Sequence, residues 1–130
     1  WQDVIQINLT GAALMTQKLL PVLRLADNAS VVFTTSSVGR KGRSFWGTYA
    51  VSKFATEGMM QVLASEYENR NVRFNCINPG GTRTDMRANA FPAEDPQTLK
   101  TPEDIMPLYL YLMGEDSLAV NGQSLDCQPK

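Results

Sequence analysis

The chain has 130 residues, 43% apolar and 19% charged, which excludes a disordered segment and amounts to one globular domain's worth of polypeptide. Twelve basic against thirteen acidic side chains give a net charge of −1, so there is no general attraction to nucleic acid or anionic lipid. With no histidine and only two cysteines, the commonest general base, the commonest zinc ligand and a disulfide framework are excluded; no metal site is expected, and reduced thiols fit a cytoplasmic protein.

The apolar periodicity of Val4, Ile7, Leu14, Met15, Leu19 and Val22 predicts a helix over Val4–Leu25. Pro21 lacks the N–H that would bond back to Gln17, so a bend is expected in its last turn. Ser30–Thr35 (SVVFTT) is short and β-branched without alternation, as in a strand buried on both faces. Ser36–Gly47 holds three glycines and three basic residues and reads as a loop. A second long helix is expected over Thr48–Asn69 and a second strand over Val72–Ile77. Thr82–Glu94 reads as loop with a short helical turn. Thr101 as N-cap, Pro102 at the first helical position and Asp104 beyond open a third helix, which runs to Met113 and stops at Gly114. Gly122–Asp126 is a candidate last strand.

Helices alternating with buried strands predict an α/β fold: a parallel sheet covered by helices on both faces. Three strands are few, and one edge would be left open. The first residues also read as the middle of an element. The expectation is therefore a single partial domain over residues 1–130, the second half of a larger doubly wound sheet. No apolar run approaches the roughly 18 residues needed to span a bilayer.

Three features could carry chemistry. Tyr49 and Lys53 are four apart on a predicted helix, which places them on one face, offset by roughly 40°. A nearby ammonium favours the ionised form of a phenol, and such a pair trades protons. A surface Tyr–Lys pair is the plain alternative. Ser36 lies at the end of a predicted buried strand, where ligands bind in open α/β sheets. Alternatively, Ser36 and Ser37 simply satisfy local backbone groups. Asn78-Pro79-Gly80-Gly81-Thr82-Arg83-Thr84 ends the next strand, and its glycines would let a ligand approach the backbone. An ordinary strand-to-helix turn would look the same.

Taken together, S-x-x-G, then Y-x-x-S-K with its tyrosine thirteen residues after the serine, then N-P-G-x-x-x-T, resemble the short-chain dehydrogenases/reductases. Asn8-Leu9-Thr10-Gly11 matches that family's N-x-x-G stretch. TSSVGRKGRSFWGTYAVSKFATEGMMQVLASEYE and NCINPGGTRTDMRANAFPAEDP are similar to its bacterial YciK-type members. The resemblance covers essentially the whole chain and implies the C-terminal half of a Rossmann-type fold.

The resemblance also implies hydride transfer between a nicotinamide cofactor, NADP or else NAD, and a carbonyl or alcohol. Tyr49 would be the general acid/base, and Lys53 would assist it and bond the nicotinamide ribose. Ser36, not Ser37, would orient the substrate, and Asn8 would hold a water in a proton relay toward Lys53. Pro79, Gly80, Thr82 and Thr84 would meet the nicotinamide end. The family's TGxxxGxG turn, which binds pyrophosphate, does not occur in these residues. The chain alone is therefore expected to bind dinucleotide weakly and to be inactive, and a non-catalytic fold fragment or oligomerisation remnant is the competing reading. A serine hydrolase is disfavoured, because there is neither a G-x-S-x-G elbow nor a histidine base.

Several features outside these motifs carry weaker expectations. Arg40, Lys41, Arg43, Arg83 and Arg87 read as solvated loop charges, with recognition of an anionic substrate as the alternative. Cys76 and Cys127 read as small apolar fillers. The two long helices match those that pack between subunits in the family. Ala55, Gly58, Met59 and Val62 are candidate contacts for a homodimer or homotetramer of the complete protein.

Overall fold

The computed structural model describes residues 1–129. Its helices are α1 (Gln2–Ile5), α2 (Gly11–Leu23), α3 (Gly47–Glu66), α4 (Asp85–Ala90) and α5 (Pro102–Met113). Its strands are β1 (Ala29–Thr34), β2 (Val72–Asn78) and β3 (Ser124–Asp126). The strands are all parallel, in the order β1-β2-β3. Thr34 pairs with Ile77 and Asn78 with Asp126, so the carboxyl ends of the three strands finish close together.

Alternation along β2 divides the interior in two. Val72, Phe74 and Cys76 pack with Ala29 and Phe33 of β1 and with Met60 and Ala64 of α3. Ala12, Leu20 and Leu23 of α2 close over the same cluster. Arg73 and Asn75 belong to the opposite row. They are buried polar residues in a strand, and burial is tolerated because most of their partners are backbone groups. Arg73 Nη1 donates to the Ser117 carbonyl (2.5 Å) and hydroxyl (3.0 Å), just beyond α5. Asn75 donates to the Val120 carbonyl and accepts from the Gln123 N–H, each at 2.9 Å. Ser30 of β1 donates to the Leu112 carbonyl of α5 at 2.6 Å. Helices thus cover both faces, as the alternating pattern predicts. β1 is flanked by β2 on one side and, among the described residues, by no strand on the other.

The helix ends follow local chemistry. Thr101 Oγ1 accepts from the Asp104 N–H, and the Asp104 carboxylate accepts from the Thr101 N–H, which is a complete capping box. The first helix departs from the expected continuous run. Gln6–Thr10 is a π-helical turn between α1 and α2, closed by the Gly11 N–H on the Gln6 carbonyl. α2 continues through Pro21 and stops at Leu23, two residues before the expected end, as the Arg24 and Leu25 N–H groups fold back onto the Leu20 and Val22 carbonyls. α3 ends at Glu66, three residues before the expected Asn69, which itself adopts a left-handed φ of 62°. None of the described helices is long and apolar enough to cross a membrane.

Candidate active site

The carboxyl ends of β1 and β2, with the amino-terminal turns of α3 beside them, form the candidate site. Its centre is Lys53. The Lys53 ammonium donates to the Thr34 carbonyl, the last residue of β1, at 2.9 Å. It also lies 5.5 Å from the centroid of the Tyr49 ring. Burial pushes the Lys53 pKa below its ordinary value. An ammonium has three N–H donors, so two remain for other partners. The spacing of four in the sequence therefore does place Tyr49 and Lys53 together.

Gly39 makes this contact between helix and strand possible. A Cβ there would lie 2.8 Å from Thr35 Oγ1 and 2.9 Å from the Lys53 carbonyl carbon and oxygen. Both are closer than a real Cβ approaches, so the loop can lie against α3 only at a glycine. Ser36 opens the short 3₁₀ turn Ser37–Gly39, and its hydroxyl accepts from the Val38 N–H at 3.5 Å. Ser36 is half-buried whereas Ser37 is exposed. The glycine three residues after the serine thus fixes the turn that carries Ser36 against the helix that carries Lys53.

Asn8 sits in the π-helical turn, a local irregularity frequent at functional sites. Its side-chain amide donates to Ser52 Oγ at 3.0 Å, and Ser52 Oγ donates to the Tyr49 carbonyl at 2.7 Å. This chain ties the first helical run to the turn of α3 that bears Tyr49. Ser52 is fully buried, and sequence reasoning passed over it as a motif letter.

In the second loop, Gly80 has a φ of +75° and Asn78 Oδ1 accepts from its N–H at 3.1 Å. Gln128 Nε2 donates to the Pro79 and Gly81 carbonyls at 2.9 Å each, and a Cβ on Gly80 would meet that same nitrogen at 2.9 Å. The space left by Gly80 therefore receives the chain's own Gln128. Thr82 is buried and bonds to the Gly80 carbonyl at 3.2 Å. Thr84 caps α4 by accepting from the Arg87 N–H at 3.2 Å.

Three of the five basic side chains are not free loop charges, which corrects the sequence expectation. Arg83 donates to the Pro96 carbonyl at 2.8 Å and the Leu99 carbonyl at 3.3 Å. Arg87 grips Glu94 through two bonds of 2.7 and 2.8 Å and lies 3.9 Å above the Phe91 ring. Arg40 is bound to Asp126. Next to them runs an aromatic row that the sequence did not signal, because Phe91 joins Trp46 and Tyr49 from a distant part of the chain. Trp46 lies 5.8 Å from the Tyr49 ring and 6.1 Å from the Phe91 ring, centroid to centroid. Cys76 is fully buried and its pKa is pushed up to about 12, chiefly by burial, so its thiol stays protonated and inert, as a small filler would be.

The family model for short chain dehydrogenases matches residues 1–95. The chain belongs to that family. It is 66% identical over 129 residues to the oxidoreductase YciK of Escherichia coli K12, a match covering 99% of this chain and 51% of that protein. Its fold superposes on a short chain dehydrogenase from Salmonella enterica serovar Typhi with a TM-score of 0.98 and 67% identity, covering 99% of this chain and 53% of the other. A short chain dehydrogenase from Escherichia coli CFT073, solved with NADPH, gives 0.97 and 66%, again over 99% of this chain and 53% of the other. The chain spans about half the length of the relatives it matches.

Replacing Gly39 by Ala in the intact protein that carries this chain is expected to destabilise it by about 1–3 kcal/mol through overpacking against Lys53. Denaturant unfolding checks this, and an alanine variant as stable as the parent would mean that the loop can retreat freely.

Proposed function

We propose that the protein carrying this chain is an NADP(H)-dependent oxidoreductase that interconverts a carbonyl and an alcohol, and that this chain supplies its catalytic half. The observation that supports this most is the half-buried Lys53 ammonium held between the Thr34 carbonyl and the Tyr49 ring at the end of a parallel strand. This donor set suits a nicotinamide riboside: two ammonium N–H bonds remain, beside a phenol, at the place where open α/β sheets bind nucleotides. The relative solved with NADPH favours NADP over NAD.

A nicotinamide supplies or accepts the hydride when bound. Every other task falls to side chains of this chain. The Tyr49 hydroxyl gives a proton to the carbonyl oxygen during reduction, or takes one from the alcohol during oxidation. Lys53 bonds the ribose and stabilises Tyr49 after it has given up its proton. The Ser36 hydroxyl donates to the substrate oxygen and orients it. Asn8 holds a water that returns a proton toward Lys53. Pro79, Gly80, Thr82 and Thr84 hold the nicotinamide end, Thr82 through its backbone and Thr84 through its hydroxyl. With Arg83 and Arg87 already bonded and an aromatic row beside Tyr49, an uncharged substrate with an apolar group suits the cleft better than an anionic one.

The pyrophosphate turn belongs to the half of the fold that these residues do not include, and the open edge of β1 suits its sheet. The complete protein is a homodimer or homotetramer on this reading. Gly58 and Val62 of α3 are exposed, as are Leu14, Met15 and Val22 of α2, while Ala55 and Met59 are half-buried. Two unpaired thiols fit a reducing cytoplasm.

The test is NADPH oxidation by the intact protein with a panel of aromatic and aliphatic ketones. Tyr49→Phe should lower kcat by at least about a hundredfold, within the range of a lost general acid, and retain NADPH binding. A Tyr49→Phe protein with undiminished turnover would overturn the assignment. The isolated 130-residue chain should bind NADPH weakly and turn nothing over. Tight binding by that chain alone would contradict the division into halves.

A further inference from the structure

We propose that Arg40, Glu57 and Asp126 form an ionic clasp that positions the Ser36 turn against the Tyr49–Lys53 helix for the reaction. This rests on the proposed oxidoreductase function and adds positioning residues to it. Arg40 follows Gly39 directly, at the far end of the 3₁₀ turn that Ser36 opens. Its guanidinium reaches across the ends of the strands to Asp126, the last residue of β3, with Nη2–Oδ1 at 2.6 Å and Nη1–Oδ2 at 3.3 Å. Its Nε lies 3.5 Å from Glu57 Oε1. Glu57 is one turn beyond Lys53 on α3, so a single arginine fastens the turn after β1 to both α3 and β3.

Glu57 makes the arrangement more than a surface bridge. Its carboxylate is buried, at 5% exposure, and a buried carboxylate needs compensation. Ser124 Oγ donates to it at 2.7 Å, and Arg40 is the cation facing it. Asp126 is held from a second side, since Asn78 Nδ2 donates to its Oδ1 at 2.8 Å. The same Asn78 accepts from the Gly80 N–H. The network therefore runs from the Ser36 turn through the end of β3 to the start of the Pro79–Thr84 loop, touching every segment assigned to the site except the one that bears Asn8. Arginine suits the place because its planar fork meets two carboxylates in fixed geometry, which lysine cannot reproduce. The Asp126 carboxyl lies below its ordinary pKa range, held there first by the Arg40 hydrogen bond, in agreement with that geometry.

The clasp acts through the placement of Ser36, so its loss should change turnover more than cofactor binding. In the intact protein, Arg40→Met and Asp126→Asn are each expected to lower kcat by about ten- to hundredfold, the scale of a small misplacement of reacting groups, with the KM for NADPH within about twofold. The double variant should be no worse than either single one. Arg40→Lys should recover little. Asn71→Ala is the control: it removes bonds from Asn71 to the Arg24 and Ala26 carbonyls, away from the site, and should lower the melting temperature while leaving kcat unchanged. Hydrogen–deuterium exchange on the same proteins reads the clasp without turnover. Residues 36–41 and 48–53 should exchange faster in Arg40→Met than in the parent. A parent protein with no NADPH-linked turnover would defeat the oxidoreductase reading, and the exchange data would still decide the clasp. Unchanged exchange in residues 36–41, or a kcat loss in Asn71→Ala equal to that in Arg40→Met, would overturn the clasp.

Discussion

The arrangement at the strand ends depends on how closely the loop after β1 approaches the backbone of α3. Gly39 stands where a side-chain carbon would collide with the Lys53 carbonyl. Because the loop lies that close, the Lys53 side chain reaches the Thr34 carbonyl, and its ammonium is partly shielded from water beside Tyr49. A hydrogen bond to a strand carbonyl offsets part of the desolvation cost and fixes the direction of a long side chain that is otherwise mobile. The register of the sheet then brings the Ser36 turn and the Pro79–Thr84 loop to the same edge.

Around this contact, polar side chains hold backbone to backbone. Ser52 and Asn8 link the first helical run to the carbonyl of Tyr49. Gln128 gathers the loop after β2 through two carbonyls. Arg73 and Asn75 do the same on the opposite face of β2, where purely apolar side chains would leave the carbonyls beyond α5 without donors. A site built at the ends of regular elements, with its loops bonded down, has the rigidity that the proposed proton and hydride transfer would need.

Much of the fold was legible because its causes are local. Helix periodicity, the Thr101–Asp104 capping box and the β-branched run of β1 each act within a few residues. The site was legible for a different reason: Ser36, Gly39, Tyr49 and Lys53 have fixed spacings that match a family pattern. What escaped reading depends on side chains brought together from distant positions. Arg40 and Asp126 are 86 residues apart, and nothing near either one signals the other. Arg83 and Arg87 looked solvated because their carbonyl and carboxylate partners come from a loop with no periodic signal. The neighbour of Gly80 was hidden for the same reason: the side chain that a Cβ there would meet is Gln128, near the other end of the sequence. The π-helical turn at Asn8 also has no compositional mark.

Lys53 and Tyr49, brought together at the end of β1, are the proposed nicotinamide and proton-transfer site. A crystal structure of the intact protein with NADP+ tests this most directly. The nicotinamide ribose hydroxyls are expected within hydrogen-bond distance of Lys53 Nζ and the Tyr49 hydroxyl, with the Ser36 turn unmoved. A cofactor bound elsewhere, with Lys53 still bonded only to the Thr34 carbonyl, would contradict it.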